Sequence, residues 1–414
     1  MRNDLSQTRL GFFLQGAPRQ SVLELIYLAY LAVYTVVAFS LTTMIPITFS
    51  QGFLDLLMIS EVLAVVVKTY TERDWNWGLF FWAAVVILPF AWTRHTLGGG
   101  HLLMLETAVL IVGAHGISFD KILKVYLIAA LSVLAVTMLL ALTGVIENLI
   151  YYRNGHQRIS FGVIYPTDFS AHVFFLVCGY VWLRERRIRY WEIAGIVLLA
   201  LFCYWFCEAR NTALCLLVLV LLLLYLNVRR ALAEKRGRGY RMSKLLSGLL
   251  VVSMPLVTLL MIMLTAAYRD EIPWLVFLNK LLSGRLALGR IAFETYPVTW
   301  HGQYVYMNGL GRSLEGPSNY FYLDSSYINI LFRFGILTLV VVVGIMVLGA
   351  RRQQKLGSWE RLCLFAVIAL HCMIEHHLIQ IAYDPFLLTA FAALSQPRGP
   401  AASDKQNTEE SPSV

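Results

Sequence analysis

The feature that most constrains the fold of this chain is a series of long apolar segments that follow one another almost from end to end. Many match the ~20 apolar residues that an α-helix needs to cross a bilayer, and about 12 can be separated. They cover approximately residues 21–45, 52–68, 77–93, 101–118, 122–145, 168–183, 191–207, 211–228, 245–267, 326–350, 360–379 and 383–396. No segment of useful length shows the alternation of a strand. The sequence therefore predicts an all-α polytopic integral membrane protein with about 12 transmembrane helices.

The composition agrees with this fold class and excludes several others. Of the 414 residues, 58% are hydrophobic and 14% are charged, against about 25% charged residues in soluble domains. An ordinary soluble enzyme, a disordered protein and a disulfide scaffold are thereby excluded. The 6 cysteines lie in apolar stretches without the spacing of a zinc site, so we expect small buried hydrophobic side chains. Glu375, His376 and His377 would point in different directions on a helix, so no metal or cofactor is predicted.

The distribution of lysine and arginine predicts the orientation. If the N-terminus is cytoplasmic and each run crosses once, most of the 34 Lys and Arg residues lie in cytoplasmic segments, including the cluster at 184–189. The positive-inside rule favours this arrangement, which leaves both termini in the cytoplasm. We interpret the net charge of +9 as a topology signal and predict no nucleic-acid partner. Residues 1–20 form the cytoplasmic N-terminus, 21–396 the transmembrane domain and 397–414 a disordered cytoplasmic tail.

Two of the predicted outer segments are long, at about 146–167 and 268–325. Long loops in compact proteins are usually functional or disordered. The second loop contains apolar residues spaced as on an amphipathic helix at a membrane surface, among them Trp274, Phe277 and Leu281. We therefore expect this loop to be ordered against the membrane, with the function of the protein on the outer face.

Four arginines in the outer segments need a special reason to be there, because the positive-inside rule works against them. They are Arg158, Arg210, Arg285 and Arg290. Arg210 and Arg285 would each begin an apolar helix beside small residues, where free backbone N–H groups also attract an anion. Any one arginine could instead be an interfacial anchor, and Arg290 could face lipid headgroups. Together they predict a site for phosphate or pyrophosphate.

A catalytic carboxylate would have to lie on the same face. The candidates are Glu208, Glu294, Glu315 and Asp324. Asp324 stands where the chain re-enters the membrane, between Tyr322 and Tyr327. Its alternative role is the N-cap of the following helix. Glu208 could simply pair with Arg210, two residues further on. All four residues remain candidates for a catalytic carboxylate.

Four stretches, taken in order, resemble the bacterial polysaccharide polymerase (Wzy-type) and O-antigen ligase superfamily. They are Arg158–Pro166, Glu208–Leu214, Leu282–Leu286, and Tyr322–Ile328 followed by Arg333–Gly335. The late Tyr383–Phe386 resembles an Asn-Pro-Phe break of these proteins, with Asp384 in place of asparagine. Ligases of the superfamily place a histidine at the entry to the helix after the long loop. This chain has Asp324 there, which favours a polymerase over a ligase.

The resemblance implies a glycosyltransferase of the bacterial cytoplasmic membrane that polymerises a capsular, exopolysaccharide or O-antigen chain. The repeat units, both donor and acceptor, would be linked to undecaprenyl pyrophosphate, and a chain-length regulator and a flippase would be partners. An acceptor hydroxyl would displace undecaprenyl pyrophosphate with inversion, and arginines would stabilise the leaving charge without a metal or cofactor. The predicted catalytic residues are Asp324, Arg210 and Arg285. The predicted substrate-binding residues are Arg158, Arg290, Tyr322, Tyr327 and Glu208.

Three other classes compete with a polymerase. A ligase would move the finished glycan to another acceptor. A lipid-linked oligosaccharide flippase would place ionisable groups at the membrane midplane and show repeated halves. This chain keeps nearly all its charges in loops, with Arg333 and Glu106 as exceptions, and shows no repeat. A sensor or structural membrane protein would not need an arginine-rich outer loop.

Overall fold

The computed structural model of the chain describes residues 17–71, 76–97, 102–153, 155–311, 313–314 and 317–395. The predicted cytoplasmic tail, most of the predicted N-terminal segment and Glu315 lie outside the described residues. The chain is mostly helical (70%), as its long apolar runs predict.

The elements follow one another with short connections over most of the chain. They are α1 (Ala17–Ser40), α2 (Gln51–Thr71), α3 (Trp77–Leu97), α4 (Leu102–Gly113), α5 (Phe119–Leu142), β1 (Ile150–Arg153), β2 (His156–Ile159), α6 (Pro166–Arg184), α7 (Tyr190–Cys207), α8 (Arg210–Glu234), α9 (Lys244–Val251), α10 (Ser253–Ala267), α11 (Pro273–Leu281), α12 (Arg285–Thr295), α13 (Ser326–Asn329), α14 (Gly335–Leu356) and α15 (Trp359–His371). Short 3₁₀-helical turns lie at Glu185–Arg187 and Pro385–Ala390, and a wider π-helical turn lies at Ile330–Phe334.

Within these described ranges, five helical stretches are long and apolar enough to cross a membrane. They are Val22–Ser40, Phe119–Leu142, Tyr190–Cys207, Arg210–Glu234 and Ser326–Leu356. A sixth is present if α9 and α10, which are bent by 56° at their junction, form one span. Large apolar side chains on these helices face outward, for example Trp205, which is 72% exposed. The helices can therefore contact lipid through one face and pack against other helices through the other.

The prediction of an entirely α-helical fold is wrong at one place. Strands β1 and β2 pair antiparallel, with Tyr151 opposite Arg158 and Arg153 opposite His156. Each strand has only four residues, too few for the alternation of apolar and polar positions to be recognised. The better signal was Asn154-Gly155, since Asn-Gly between two short runs favours a two-residue hairpin. We call the end of the helical bundle that carries this hairpin the hairpin end, and the opposite end the far end.

A buried ion network joins several elements towards the far end. Arg361 on α15 is 1% exposed, and its Nη2 lies 3.5 Å from a carboxylate oxygen of both Asp120 and Glu185. Its guanidinium also lies 4.7 Å above the ring of Trp182, whose Nε1 donates to Asp120 Oδ1 at 3.0 Å. One arginine therefore neutralises two buried acids from different elements.

We expect Arg361→Met to lower the free energy of unfolding by about 3–5 kcal/mol, because it leaves buried carboxylates without their cation. Chemical denaturation in detergent micelles measures the change. Arg351→Met is the matched control, since Arg351 is exposed on α14. Equal stability of the two variants would contradict the structural role of the network.

The described residues of the long predicted outer segment 268–325 do not form one amphipathic helix. Two short helices, α11 and α12, are separated by three residues, of which Ser283 and Gly284 have φ angles of 54° and 86°. Only Leu275 of α11 is buried, whereas Trp274 and Phe277 are exposed. α12 packs instead on α10, against Thr265 at Gly289. The positive φ angles break the helix just before Arg285 and set its position.

A second sharp break places the chain that leads into α14. Gly335 has a φ of 84°, and a Cβ added there would meet backbone atoms of Gly302 and, at 2.6 Å, the carbonyl oxygen of Trp300. Only glycine fits this close approach without strain. The segment after α12 is thereby held against the stretch Ser326–Leu356, and the loop that carries Asp324 is fixed between them.

Candidate functional site

The β-hairpin places several side chains on one of its two faces. Residues opposite each other in a ladder, and residues two apart in one strand, share a face. Tyr151, Arg153 and Arg158 meet this condition, given the pairing of Tyr151 with Arg158. All three line a cavity of about 150 Å³ at the hairpin end. The hairpin that sequence analysis missed therefore positions part of the site.

The other walls of this cavity come from separate parts of the chain. The start of α6 contributes Asp168, the start of α12 contributes Arg285, and the loop before α13 contributes Asp324. The polar lining also includes Thr167, His376 from the turn after α15, and four tyrosines, namely Tyr151, Tyr165, Tyr320 and Tyr322. At about 150 Å³ the cavity is smaller than the roughly 300–1,000 Å³ of pockets for drug-sized ligands. It suits a small charged group or one end of a larger molecule.

Arg158 is fixed through its Nε, and its Nη groups are left to donate hydrogen bonds to a ligand. Its Nε donates to the carbonyl oxygen of Cys207 at 3.2 Å and lies 3.8 Å from Glu208 Oε2. Burial, reinforced by the nearby charge of Arg153, lowers the pKa of Arg158 to about 10, so it remains charged at neutral pH. Within the described residues, its two Nη groups make no hydrogen bond.

Arg153 faces the same space and was not singled out by the sequence analysis. Its side chain makes no hydrogen bond or ion pair with another residue in the part of the chain that is described, although its backbone pairs with His156. Burial lowers its pKa, and Glu208 and Arg285 are close enough to act on its charge in opposite directions. A half-buried guanidinium without a partner is costly unless an anion occupies the cavity.

Arg285 forms the central ion pair of the site. Its Nη2 lies 3.0 Å from Asp324 Oδ2, and both side chains are nearly buried. Its Nε donates to the carbonyl oxygen of Ile374 at 3.4 Å, which fixes the plane of the guanidinium. The expected free N–H groups at the start of α12 are absent, because Leu286 and Ala287 donate theirs to Asn279 Oδ1. The guanidinium, and not the helix N-terminus, is thus the anion-binding group here.

Asp324 is not a helix cap, so that alternative is wrong. Ser325 takes the N-cap position of α13, without a side-chain hydrogen bond. The carboxylate of Asp324 turns instead to Arg285 and lines the cavity. Burial raises the pKa of Asp324, Arg285 opposes that rise, and the charge of Asp168 adds to it. The carboxylate is therefore a stronger base than an ordinary aspartate.

Arg210 does not line the cavity but is linked to it. Its Nη2 donates to Glu208 Oε1 at 2.5 Å, which confirms the simple pairing considered for these two residues. Glu208 lies between α7 and α8 with a φ of 48° and is 8% exposed. Its other oxygen is the one near Arg158. Glu208 thus bridges the two arginines, and Arg210, 58% exposed, stands at the rim.

Two predicted binding residues lie elsewhere. Tyr327 is fully buried, and its hydroxyl donates to the carbonyl oxygen of Ala369 at 2.6 Å, so it packs in the core and cannot stack on a sugar. Arg290 donates to Glu294 Oε1 at 2.6 Å and does not line the cavity. Both placements follow from helical geometry, because Arg290 lies more than one turn beyond Arg285 and Tyr327 lies on the inner face of α13. Tyr322, by contrast, lines the cavity.

Asp168 is the second carboxylate of the cavity, and sequence analysis missed it. It lies in the first turn of α6, where an acidic residue is ordinary on account of the helix dipole. His377 supports it from behind, with Nε2 3.6 Å from Asp168 Oδ1 and its ring stacked on Tyr383 at 3.8 Å. The available signal was the position of Asp168 two residues after Pro166, at the start of a helix.

Taken together, the arginines can bind an oxyanion, and the carboxylates can accept a proton from a bound hydroxyl group. Among the described residues, no group of three or more His, Cys, Asp or Glu side chains could hold a metal ion. Comparisons of the chain with protein-family models, with curated proteins and with solved structures found no match.

Proposed function

We propose that the protein is a surface-polysaccharide polymerase, a membrane glycosyltransferase that joins repeat units carried on undecaprenyl pyrophosphate. The observation that carries this proposal is the convergence of Arg153, Arg158 and Arg285 on one cavity that also holds Asp324. A cluster of guanidinium groups suits a pyrophosphate, and a neighbouring carboxylate suits a sugar hydroxyl. The resemblance of the stretches around Arg158, Glu208, Arg285 and Asp324 to Wzy-type polymerases supports the same assignment.

The proposed reaction follows from these groups. The acceptor hydroxyl oxygen forms a bond to the anomeric carbon of the donor sugar and passes its proton to Asp324. The bond from that carbon to the pyrophosphate breaks, and undecaprenyl pyrophosphate leaves with the electron pair. Arginines that face the growing negative charge stabilise the transition state more than the ground state. Attack from the side opposite the leaving group inverts the anomeric centre.

The arginines and Glu208 have separate roles in this proposal. Arg285 orients Asp324 and presents its remaining N–H groups to the pyrophosphate. Arg158 and Arg153 bind the same group from the hairpin, while Glu208 orders Arg158 and Arg210. Because the cavity is small, only the pyrophosphate and the nearest sugar would lie within it.

We further propose that the hairpin end faces the outside of a bacterial cytoplasmic membrane, that both termini are cytoplasmic and that the chain crosses about 12 times. In support, the clustered basic residues between α6 and α7 and between α8 and α9 lie at the far end. Helices α7 and α8 are antiparallel and meet at Glu208, which lies near Arg158 at the hairpin end. The other ends of the two helices, with their basic residues, therefore lie at the far end.

This orientation predicts the labelling of two exposed positions. Ser318→Cys, in the loop before α13, should react with a membrane-impermeant maleimide in intact spheroplasts. Ser243→Cys, before α9, should react only after permeabilisation. The six natural cysteines are buried and give little background. The reverse pattern would overturn the orientation.

Two alternative functions, a ligase and a flippase, are each favoured by one observation. His376 lines the cavity, and a histidine there suits an O-antigen-ligase-like transfer. Glu61 and Glu106 are each 2% exposed within the helical bundle, and buried acids in a membrane protein suit a flippase.

Deletion of the gene distinguishes the three activities through the lipid-linked glycans that accumulate. A polymerase predicts single repeat units on the outer leaflet. Full-length lipid-linked polymer would indicate a ligase, and single units confined to the cytoplasmic leaflet would indicate a flippase. Either of these last two results contradicts the proposal.

A further inference from the structure

A second cavity lies at the far end of the bundle, on the opposite side from the proposed active site. Its volume is about 560 Å³, within the range of small-molecule sites. Helix α8 separates the two cavities, since it begins at Arg210 near the first and ends at Glu234 beside the second. With a rise of about 1.5 Å per residue, its 25 residues span roughly 37 Å. The two cavities are therefore distinct sites.

The walls of this far-end cavity are strongly basic. Arg186, Arg230, Arg238 and Arg241 line it, with Glu234 as the acid in the lining. Arg230 is already neutralised, because its two Nη groups contact both carboxylate oxygens of buried Glu360. Three arginines then face one glutamate, an excess of two positive charges.

The remaining arginines have donors to spare. Arg186 uses one Nη2 hydrogen on the carbonyl oxygen of Gly357 at 3.3 Å. The side chains of Arg238 and Arg241 make no hydrogen bond or ion pair with other described residues. Like charges gathered round a common space repel one another, and an anion in that space would remove the repulsion.

The loop that carries these arginines is fixed to the rest of the protein. The guanidinium of Arg229 lies 5.9 Å from the ring centroid of Tyr240, and Tyr240 lines the cavity. Met242 is only 7% exposed and belongs to the hydrophobic core. Residues on both sides of Arg241 are thus anchored, so the cavity has a defined shape. A positive topology signal alone would not require either anchor.

We propose that the far-end cavity binds a phosphate-bearing anion through Arg186, Arg238 and Arg241. Phosphate suits the site because guanidinium groups from different segments can share its oxygens in paired hydrogen bonds. The anion could be free in solution or the headgroup of an anionic phospholipid, and binding measurements with each distinguish these sources. This proposal does not depend on the glycosyltransferase proposal.

The test uses purified full-length protein in detergent, with two probes. Inorganic pyrophosphate binding is measured by calorimetry at fixed ionic strength, and phosphatidylglycerol binding by native mass spectrometry against phosphatidylcholine. We expect Arg238→Gln/Arg241→Gln to weaken binding of at least one probe about tenfold, as expected for loss of charge-assisted hydrogen bonds. A loss with pyrophosphate identifies a soluble anion, and a loss with the lipid alone identifies a headgroup. The proposed active-site cavity is unchanged in all variants, so a difference among them reports the far end.

Two further variants keep the result specific. Arg236→Gln removes one positive charge from the same exposed loop but not from the cavity lining, and should bind within about twofold of the wild type. Gly239→Leu keeps every charge and fills the cavity, where an added Cβ meets no atom within 4 Å, and should weaken binding. The proposal is overturned if the wild type neither binds pyrophosphate nor binds phosphatidylglycerol more strongly than phosphatidylcholine. It is also overturned if the double variant binds like Arg236→Gln, or if Gly239→Leu binds like the wild type.

Discussion

Arg285→Ala should lower the rate of polymerisation by about 10- to 100-fold at normal protein level, because a hydrogen bond to a charged group contributes about 1.5–3 kcal/mol. The loss has two sources in the structure. The leaving pyrophosphate would lose a guanidinium, and Asp324, 3.0 Å away, would lose its cation. Arg285→Lys should recover little, since an ammonium group cannot make the paired contact. The rate is measured with purified protein and a lipid-linked repeat unit.

Arg290→Ala is the matched control for this prediction. Arg290 lies on the same helix as Arg285 but contacts Glu294 and does not line the cavity. It should polymerise at near the wild-type rate. If both variants lose activity equally, or if neither does, the cavity is not the site of the reaction. Arg153→Ala should resemble Arg285→Ala, and this result would confirm the contribution of the hairpin.

The rate of polymerisation should decrease at acidic pH, and we call this decrease the acid limb of the pH profile. Its midpoint should lie above the pKa of about 3.9 of an ordinary aspartate. Asp324 must be deprotonated to accept a proton, and burial raises its pKa. The charge of Asp168 raises that pKa further. Asp168→Asn should therefore move the acid limb to lower pH, whereas Asp324→Asn should cost about 10²- to 10⁴-fold in rate. Initial rates across the pH range measure both effects.

Asp270→Asn is the control for the pH experiment, because it removes an aspartate from the same long segment outside the cavity. Its acid limb should stay in place. An Asp324→Asn variant with the wild-type rate would exclude Asp324 as the base. An acid limb that Asp168→Asn leaves unmoved would show that a different group titrates.

The sequence allowed us to identify those cavity residues whose position depends on their own segment of the chain. Arg158, Arg285, Asp324 and Tyr322 were recognised from their segments, and the structure brings all four to one cavity. It failed where position depends on tertiary contacts. Tyr327 has the same local setting as Tyr322, yet the turn of α13 directs it into the core.

Other features were missed because their signals were short or ordinary. Arg153 belongs to a four-residue strand, so no periodicity marked it. Hydropathy also does not distinguish a side chain buried in protein from one that faces lipid. The apolar run near 360–379 forms the 13-residue helix α15, which is almost wholly buried, and the run near 383–396 forms a short turn at Pro385–Ala390. Among the residues that the structure describes, five helices are candidate spans by length and composition, or six if α9 and α10 form one span.

The most direct test of the proposed activity is reconstitution of purified wild-type protein with the lipid-linked repeat unit as both donor and acceptor. Electrophoresis of the product should show a ladder of lipid-linked chains. A variant with Arg153, Arg158 and Arg285 all changed to Gln, still folded by its thermal denaturation, should give only the single unit. A ladder of normal length from that variant, or no ladder from the wild type, would contradict the assignment of this cavity as a polymerase active site.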